Sequence, residues 1–327
     1  MKILRRKFLH LTAATAVLPA LPRMASALDY PTRPVRVVVG FPPGGGADIV
    51  GRLIGQWLSE RLGQSVIVEN RPGAAGNIAA EAVVRASPDG YTLLMVTSTN
   101  AINAALYDNL NFNLSRDTAP VAGLTRDYFV LVVNPSLPVK SVAELVDYAK
   151  ANPGKLNYAS AGNGSGQHVT GELFKLTTGI DMVHVPYRGS APALTELMAG
   201  RVQLTFEIMT ASIGYIRAGR LRALAVTSPT RLAVLPDVPS VSDVVPGFEA
   251  SNFRGVSAPR NTPAEIIERL NKEINASLGD PKIKARVADL GATALPMSPT
   301  AFGKLITDET EKWRKVIRAA NIKPERS

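Results

Sequence analysis

Short continuous apolar runs alternate along this chain with stretches in which apolar residues recur at helical spacing. Val35-Arg36-Val37-Val38-Val39 reads as a buried strand, and Gly40-Phe41-Pro42-Pro43-Gly44-Gly45-Gly46 breaks it. Ile49, Leu53, Trp57, Leu58 and Leu62 then predict a helix with that face inward. Val66-Ile67-Val68 predicts a second strand, Arg71-Pro72-Gly73 a turn, residues 78–86 a helix, and Pro88-Asp89-Gly90 another turn. Residues 92–96 predict a third strand, which ends in the polar cluster Thr97-Ser98-Thr99-Asn100. The β-α-β-α-β order predicts a parallel sheet with helices on its faces.

A second unit repeats the logic. Residues 129–133 predict a strand, and Ser141 with Glu144 forms a capping box for a helix carrying Val142, Leu145 and Tyr148. Residues 156–159 predict a strand that runs into a second glycine loop, Ala161-Gly162-Asn163-Gly164-Ser165-Gly166. Val169, Leu173 and Leu176 share one face of the helix expected next. Further strands are predicted over residues 180–185, 202–207 and 221–227, the second with one wet face, and Ser190 is placed to cap a helix over residues 191–199. The C-terminal part is helical. Thr262-Pro263 with Glu265 reads as a capping box before Ile266, Leu270, Ile274 and Leu278. Ser298-Pro299 starts a last helix with Phe302, Leu305, Trp313 and Val316 inward.

The charge of +10 suggests nucleic acid until the N-terminus is considered. Lys2, Arg5, Arg6, Lys7 and Arg23 lie in the first 27 residues with no acid, and without them the charge falls to +5. A basic start, an apolar stretch from Leu9 to Leu21 and Ala25-Ser26-Ala27 predict an export signal cleaved near Ala27. Its Arg5-Arg6 pair resembles a twin-arginine signal, with Sec export as the alternative. A periplasmic, soluble mature chain is expected, with no nucleic-acid partner. The chain has no cysteine, so disulfides, thiol nucleophiles and cysteine-ligated metals are excluded.

Motifs of catalysis are missing. Gly162, Gly164 and Gly166 do not make the dinucleotide fingerprint, and no lysine of a phosphate loop follows either glycine loop. No nucleophile elbow occurs around Ser165. Beyond the export signal the histidines are His168 and His184; His184 alternates with Ile180 and Met182, as a strand-face residue does. No enzyme activity, cofactor or metal is expected. What remains is a pair of glycine loops, each running from a strand end into a helix start. Helix N-termini carry unpaired N–H groups and partial positive charge, and glycine lets a ligand approach the backbone. An anion held between two such loops is the physical expectation.

Phe41-Pro42-Pro43-Gly44-Gly45-Gly46-Ala47-Asp48, Glu69-Asn70-Arg71-Pro72-Gly73-Ala74-Ala75-Gly76-Asn77 and Ser160-Ala161-Gly162-Asn163-Gly164-Ser165-Gly166-Gln167-His168 resemble segments of the Bug family. These are the extracytoplasmic solute receptors of tripartite tricarboxylate transporters. Pro186-Tyr187-Arg188-Gly189, Leu235-Pro236-Asp237-Val238-Pro239-Ser240-Val241, Ala258-Pro259 and Thr262-Pro263 fit the same family, in order along nearly the whole mature chain.

The resemblance implies an α/β, two-lobed type II periplasmic-binding-protein fold with an interlobe ligand cleft. Residues 28–125 plus 253–327 would form lobe 1 and 126–252 lobe 2, with crossings near residues 126–132 and 252–257. The implied ligand is a small mono- or dicarboxylate. The implied partner is a membrane permease or, alternatively, a sensor kinase, with the receptor itself a monomer. Carried over by position, Pro43, Gly44, Gly45 and Ala47 present backbone from one lobe. Ala161, Gly162, Gly164 and Ser165 do so from the other, and Phe41 walls the pocket or packs in the core. Ser98 and Asn100, after a strand end, would bond the ligand or form a turn. His168 would bond the ligand or cap its helix, Tyr187 would form a wall, and Glu207 would reach an amino or hydroxyl group or face solvent. Asp48 offsets the dipole of its helix, and Arg188 would pair with a distal carboxylate or lie on the surface. Asn252-Phe253-Arg254-Gly255 departs from the aromatic-rich form usual in the family. The rival readings are a secreted nucleotide- or anion-dependent enzyme using the glycine loops and the effector domain of a transcription regulator.

Overall fold

The computed structural model describes residues 30–324; the expected export signal over residues 1–27 lies outside them. In chain order the elements are β1 (Val35–Val39), α1 (Gly46–Leu62), β2 (Val66–Asn70), a 3-10 turn (Ala74–Gly76), α2 (Asn77–Val84), β3 (Thr92–Thr97), α3 (Ser98–Leu106), α4 (Leu114–Asp117) and β4 (Thr118–Val133). Then come α5 (Val142–Ala151), β5 (Asn157–Ser160), α6 (Gly166–Thr178), β6 (Val183–Pro186), α7 (Ser190–Met198), β7 (Leu204–Ile208), α8 (Met209–Arg217) and β8 (Arg222–Val226). The chain finishes with β9 (Ser251–Pro259), α9 (Ala264–Gly279), α10 (Pro281–Asp289), β10 (Ala292–Ala294) and α11 (Pro299–Ala319).

The strand order is β2-β1-β3-β9-β4-β7-β5-β6. It is a palindrome of roles. β1 lies between parallel β2 and β3, as β5 lies between parallel β6 and β7. Antiparallel β9 flanks β3, and antiparallel β4 flanks β7. The two halves share β4, which pairs with β9 from Thr118 to Tyr128 and with β7 from Phe129 to Val133. Each middle strand, β1 and β5, feeds a glycine loop and then a helix. The start of α1 lies against Arg254 of β9, and the start of α6 against Phe129 of β4, the two strands that pair at the join of the halves.

Each half has its own core, and two helices enter both. Phe302 and Ile306 of α11 pack with Phe253, Val38 and Leu94, whereas Trp313, Val316 and Ile317 pack with Phe129, Leu131 and Phe174. Ala101 and Ile102 of α3 divide in the same way. These shared helices and the shared strand β4 hold the chain from Pro31 onward as one compact unit.

Several local expectations give way to packing. The inward face of α1 is Ala47, Val50, Gly51, Ile54, Gly55, Leu58 and Leu62, not the Ile49-Leu53-Trp57 stripe. Gly51 and Gly55 let the helix lie against the sheet; a side-chain carbon at Gly51 would stand 3.2 Å from Met95 Cε. In α6 Val169 is in the core as expected and Leu173 packs against it, but Phe174 fills the place that the spacing gave to Leu176, which is exposed. β7 has no wet face: Leu204, Thr205, Phe206 and Glu207 are all buried, because α6 and α8 pack over it. Ser190 is the first helical residue of α7 rather than its cap, and its hydroxyl turns to Glu207. The Thr262 hydroxyl donates to the Pro259 carbonyl instead of capping α9. The polar cluster after β3 starts α3, which periodicity does not announce because the helix is rich in Ser, Thr and Asn.

Candidate functional site

The first loop is shaped by Asp48. Its Oδ2 accepts the Gly44 N–H at 2.9 Å, and Arg52 pairs with its two oxygens at 2.8 and 3.0 Å. Burial alone pushes the Asp48 carboxyl up, but the Arg52 guanidinium and the Gly44 amide outweigh it and hold it below the usual range. The Gly44 N–H is therefore committed to the loop itself. Pro43, Gly44 and Gly45 are exposed, and Ala47 is buried in the first turn of α1. Phe41 is half-buried against Gly76, and its carbonyl accepts from Asn70.

The second loop follows the same plan with different chemistry. Gly164, at φ +73°, donates its N–H to His168 Nδ1 at 3.0 Å. Ser165 caps α6 by accepting from the His168 N–H. The N–H groups of Gly162 and Ser165 go to the Ser160 hydroxyl and the Gly162 carbonyl. Hence Gly162, Gly164 and Ser165 spend their amides inside the loop. The donors without intrahelical partners are those of the first turn of α6, at Gly166 and Gln167. Ala161 is half-buried at the start of the loop.

Behind this loop lies a buried polar stack. The His168 and His184 rings are parallel with centroids 3.7 Å apart, and Tyr158 stacks on His184 at 4.9 Å. His184 Nε2 is 2.7 Å from the Ser160 hydroxyl, and the Tyr158 hydroxyl donates to Glu172 at 2.6 Å. Burial, with Lys175 nearby, pushes His168 down to about 4. Burial and the neighbouring His168 push His184 down to about 3. Both rings are neutral at neutral pH, which is what lets His168 Nδ1 accept a bond. His184 fills its strand face as its alternation predicts, but on a polar stack.

Glu207 closes β7 where α6, α7 and α8 begin. Its Oε1 accepts from Gln167 at 3.0 Å, Ser190 at 2.9 Å and the Ile208 N–H at 2.8 Å. Its Oε2 is sealed and has no partner. Burial raises its carboxyl above the usual range, against the lowering effect of these donors. It does not face solvent. Tyr187 is half-buried beside Val185 and Ala193, and Arg188 is exposed.

Asn100 serves the turn that rivalled its ligand role, whereas the Ser98 hydroxyl is claimed by the distant strand β9. The Ser98 hydroxyl accepts the Phe253 N–H at 2.7 Å, and Asn100 Oδ1 accepts from the Thr97 N–H at 2.9 Å. Arg254 is a residue that sequence reasoning left out. It is buried on β9 and paired with Asp127 of β4 at 2.8 Å, against the first residue of α1. Its signal was present in the departure from aromatic residues at 252–255. A cavity of about 640 Å³ lies elsewhere, between the C-terminal ends of α3 and α11, and no glycine-loop residue lines it. Among the described residues no cluster of His, Asp and Glu is placed to share a metal, and no helix is long and apolar enough to cross a membrane.

A profile of the tripartite tricarboxylate transporter family receptors matches residues 50–322. Protein BugT of Bordetella pertussis is 38% identical over 301 residues, covering 91% of this chain and 92% of that one. Rpa4515 of R. palustris, solved with adipate, superposes with a TM-score of 0.84 at 40% identity, covering 90% of this chain and 100% of that one. The periplasmic binding protein BugD superposes at 0.81 with 32% identity over 90% of this chain and 100% of its own. With its paired glycine loops, palindromic sheet and these relationships, the chain belongs to the Bug family of tripartite tricarboxylate transporter receptors.

Proposed function

We propose that this protein is a periplasmic receptor that captures a small carboxylate between two lobes and delivers it to a membrane permease. The observation that carries the reading is the pair of mirrored glycine loops. Each opens a helix at the paired strands β4 and β9, α1 starting against Arg254 and α6 against Phe129. Such helix ends hold an anion with main-chain donors and partial positive charge. The adipate bound to Rpa4515 supports a carboxylate as the anion. The lobes are residues 28–125 plus 253–327 and residues 126–252, and closure over the ligand strengthens each bond by removing water. Export by the signal over residues 1–27 places the receptor in the periplasm, as the description of BugD supports for a relative. The receptor works as a monomer, by reversible binding without turnover or cofactor.

The site is built from the α1 first turn with Pro43, Gly44, Gly45 and Ala47, and the α6 first turn with Ala161 to His168. Phe41 and Tyr187 act as walls and Glu207 as the polar end. The test is titration calorimetry on protein stripped of ligand in denaturant and refolded. Straight-chain mono- and dicarboxylates of four to seven carbons are expected to bind and to raise the melting temperature. At about 1,000 times the dissociation constant the gain is about 4 kcal/mol. No heat and no thermal shift from any of them would sink the reading.

A further inference from the structure

The buried pair Asp127–Arg254 stands on the two strands that both halves share. Asp127 is on β4 and Arg254 on β9, with Asp127 in register with Asn252 and Arg254 with Thr125. Arg254 Nη1 meets Asp127 Oδ1 at 2.8 Å and Nη2 meets Oδ2 at 3.3 Å. Nη1 also reaches the Thr125 hydroxyl at 3.4 Å, and Asn252 donates to Asp127 Oδ1 at 2.9 Å. Asp127 thus grips the outer edge of the guanidinium, between its two terminal nitrogens. The start of α1 lies over one face of the guanidinium, nearest Nη2, and no group among the described residues accepts from Nε. A side-chain carbon at Gly46 would lie 2.6 Å from Nη2, 3.2 Å from Cζ and 3.6 Å from Nε. Glycine at 46 is required so that the arginine can lie against the start of α1.

That placement is electrostatically one-sided. A cation beside a helix N-terminus meets the positive end of the dipole and is disfavoured there. Asp127 offsets the guanidinium charge. The other carboxylate at this helix start, Asp48, is taken by Arg52 and the Gly44 amide. The first-turn amides of α1 and the unclaimed Nε of Arg254 therefore set positive character side by side, with no further carboxylate among the described residues to meet it. The trace of the pair that water reaches is on the arginine: its side chain is 5% exposed and that of Asp127 0%. A guanidinium presents five donors in a planar fork and can serve two carboxylates, one on each edge.

We propose that Arg254 is a specificity-determining residue of the receptor: held by Asp127 and seated by Gly46, it reads a second acidic group on the ligand. This rests on the carboxylate-receptor reading above and names the residue that distinguishes a dianion from a monoanion. Asp127 is a positioning residue, acting through Arg254.

The experiment compares adipate with hexanoate, which differ only in the terminal carboxyl group, by calorimetry on stripped and refolded protein. Wild type is expected to bind adipate at least tenfold more tightly. The double variant Arg254→Met/Asp127→Asn removes both buried charges together, so neither is left unpaired. It is expected to bring the ratio near one while leaving hexanoate affinity within about threefold. Arg254→Lys keeps a charge beside Asp127 but loses the fork, and an intermediate ratio is expected; it also serves as the readout should the double variant fail to fold. A ratio unchanged in the variants would make the pair a strand pin only and overturn the proposal. So would equal loss for both acids, or a wild type that does not distinguish them. Failure of wild type to bind any of the carboxylates used to test the proposed function would instead overturn that earlier reading, and this one with it.

Discussion

Asp48 Oδ2 accepts the N–H of Gly44 at 2.9 Å, and His168 Nδ1 accepts the N–H of Gly164 at 3.0 Å, each four residues downstream in the first turn of its helix. One half locks its loop with a charged carboxylate, the other with a neutral imidazole. Losing His168 leaves the buried Gly164 amide unpaired, at about 1–3 kcal/mol, while losing Asp48 releases the exposed Gly44 amide to water and frees the loop. Asp48→Ala and His168→Leu are each expected to weaken carboxylate binding by roughly tenfold or more. Calorimetric affinities check this, and an unchanged constant in either variant would place the site away from that loop.

The histidine stack gives stability a specific pH dependence. His168 and His184 are pushed down to about 4 and about 3 in the folded state. The folded protein therefore binds fewer protons than the unfolded chain below the ordinary histidine value of about 6.5. Their contribution is fully present above that value and is lost as pH falls toward 4. Urea midpoints measured from pH 7 to pH 4 are expected to fall, and His184→Phe is expected to flatten the curve. Protonation of His168 in the folded protein removes the acceptor for Gly164, so a drop in affinity from this cause is expected only as pH nears 4.

Glu207 titrates with the opposite sign. Burial raises its carboxyl, so the folded state holds its proton in the window just above the usual carboxylate range. Stability from this group falls as pH rises through that window. Glu207→Gln keeps an acceptor for Ser190 and Ile208 and carries no charge. Its stability relative to wild type is expected to grow as pH rises from 5 to 7.5. A parallel pair of pH curves would refute the assignment.

Gly164→Val tests the second loop. The residue sits at φ +73°, and a side-chain carbon there would meet Leu106 Cδ2 at 2.6 Å. Strain of about 1–3 kcal/mol and displacement of the loop are expected. Thermal melting should show a folded, weakened protein, and calorimetry should show no carboxylate binding.

Gly255→Ala tests the junction between sheet and C-terminal helix. The added carbon would lie 2.1 Å from Phe302 Cζ and 2.5 Å from the Ala122 carbonyl oxygen, the latter being backbone that cannot swing aside. A loss of about 3 kcal/mol in urea unfolding is expected. A variant as stable as wild type would mean that α11 does not pack on β9 as described.

Both glycine loops were legible because their features are local: an apolar run, a break rich in glycine, and a helical period afterwards. β1 falls on its apolar run, β3 runs one residue past its own, and β5 is shifted by one residue along the chain. The inward face of α1 was not legible, because hydrophobic spacing gives no weight to Gly51 and Gly55, whose missing side chains are what bring the helix onto the sheet. Nor were the roles of Ser98 and Asn100. A hydroxyl or amide after a strand suits a cap and a ligand equally, and the Phe253 N–H that claims Ser98 comes from 155 positions away.

The amino-acid order alone determined where the chain must bend tightly and which stretches repeat with strand or helix period, since backbone freedom and side-chain spacing are properties of neighbours. The folded molecule decided which loop amides are already spent, that Glu207 is sealed among three helix starts, and that Arg254 meets Asp127 beside Gly46. The last of these follows from the register of β4 against β9. It joins residues 127 positions apart, and no local pattern encodes it.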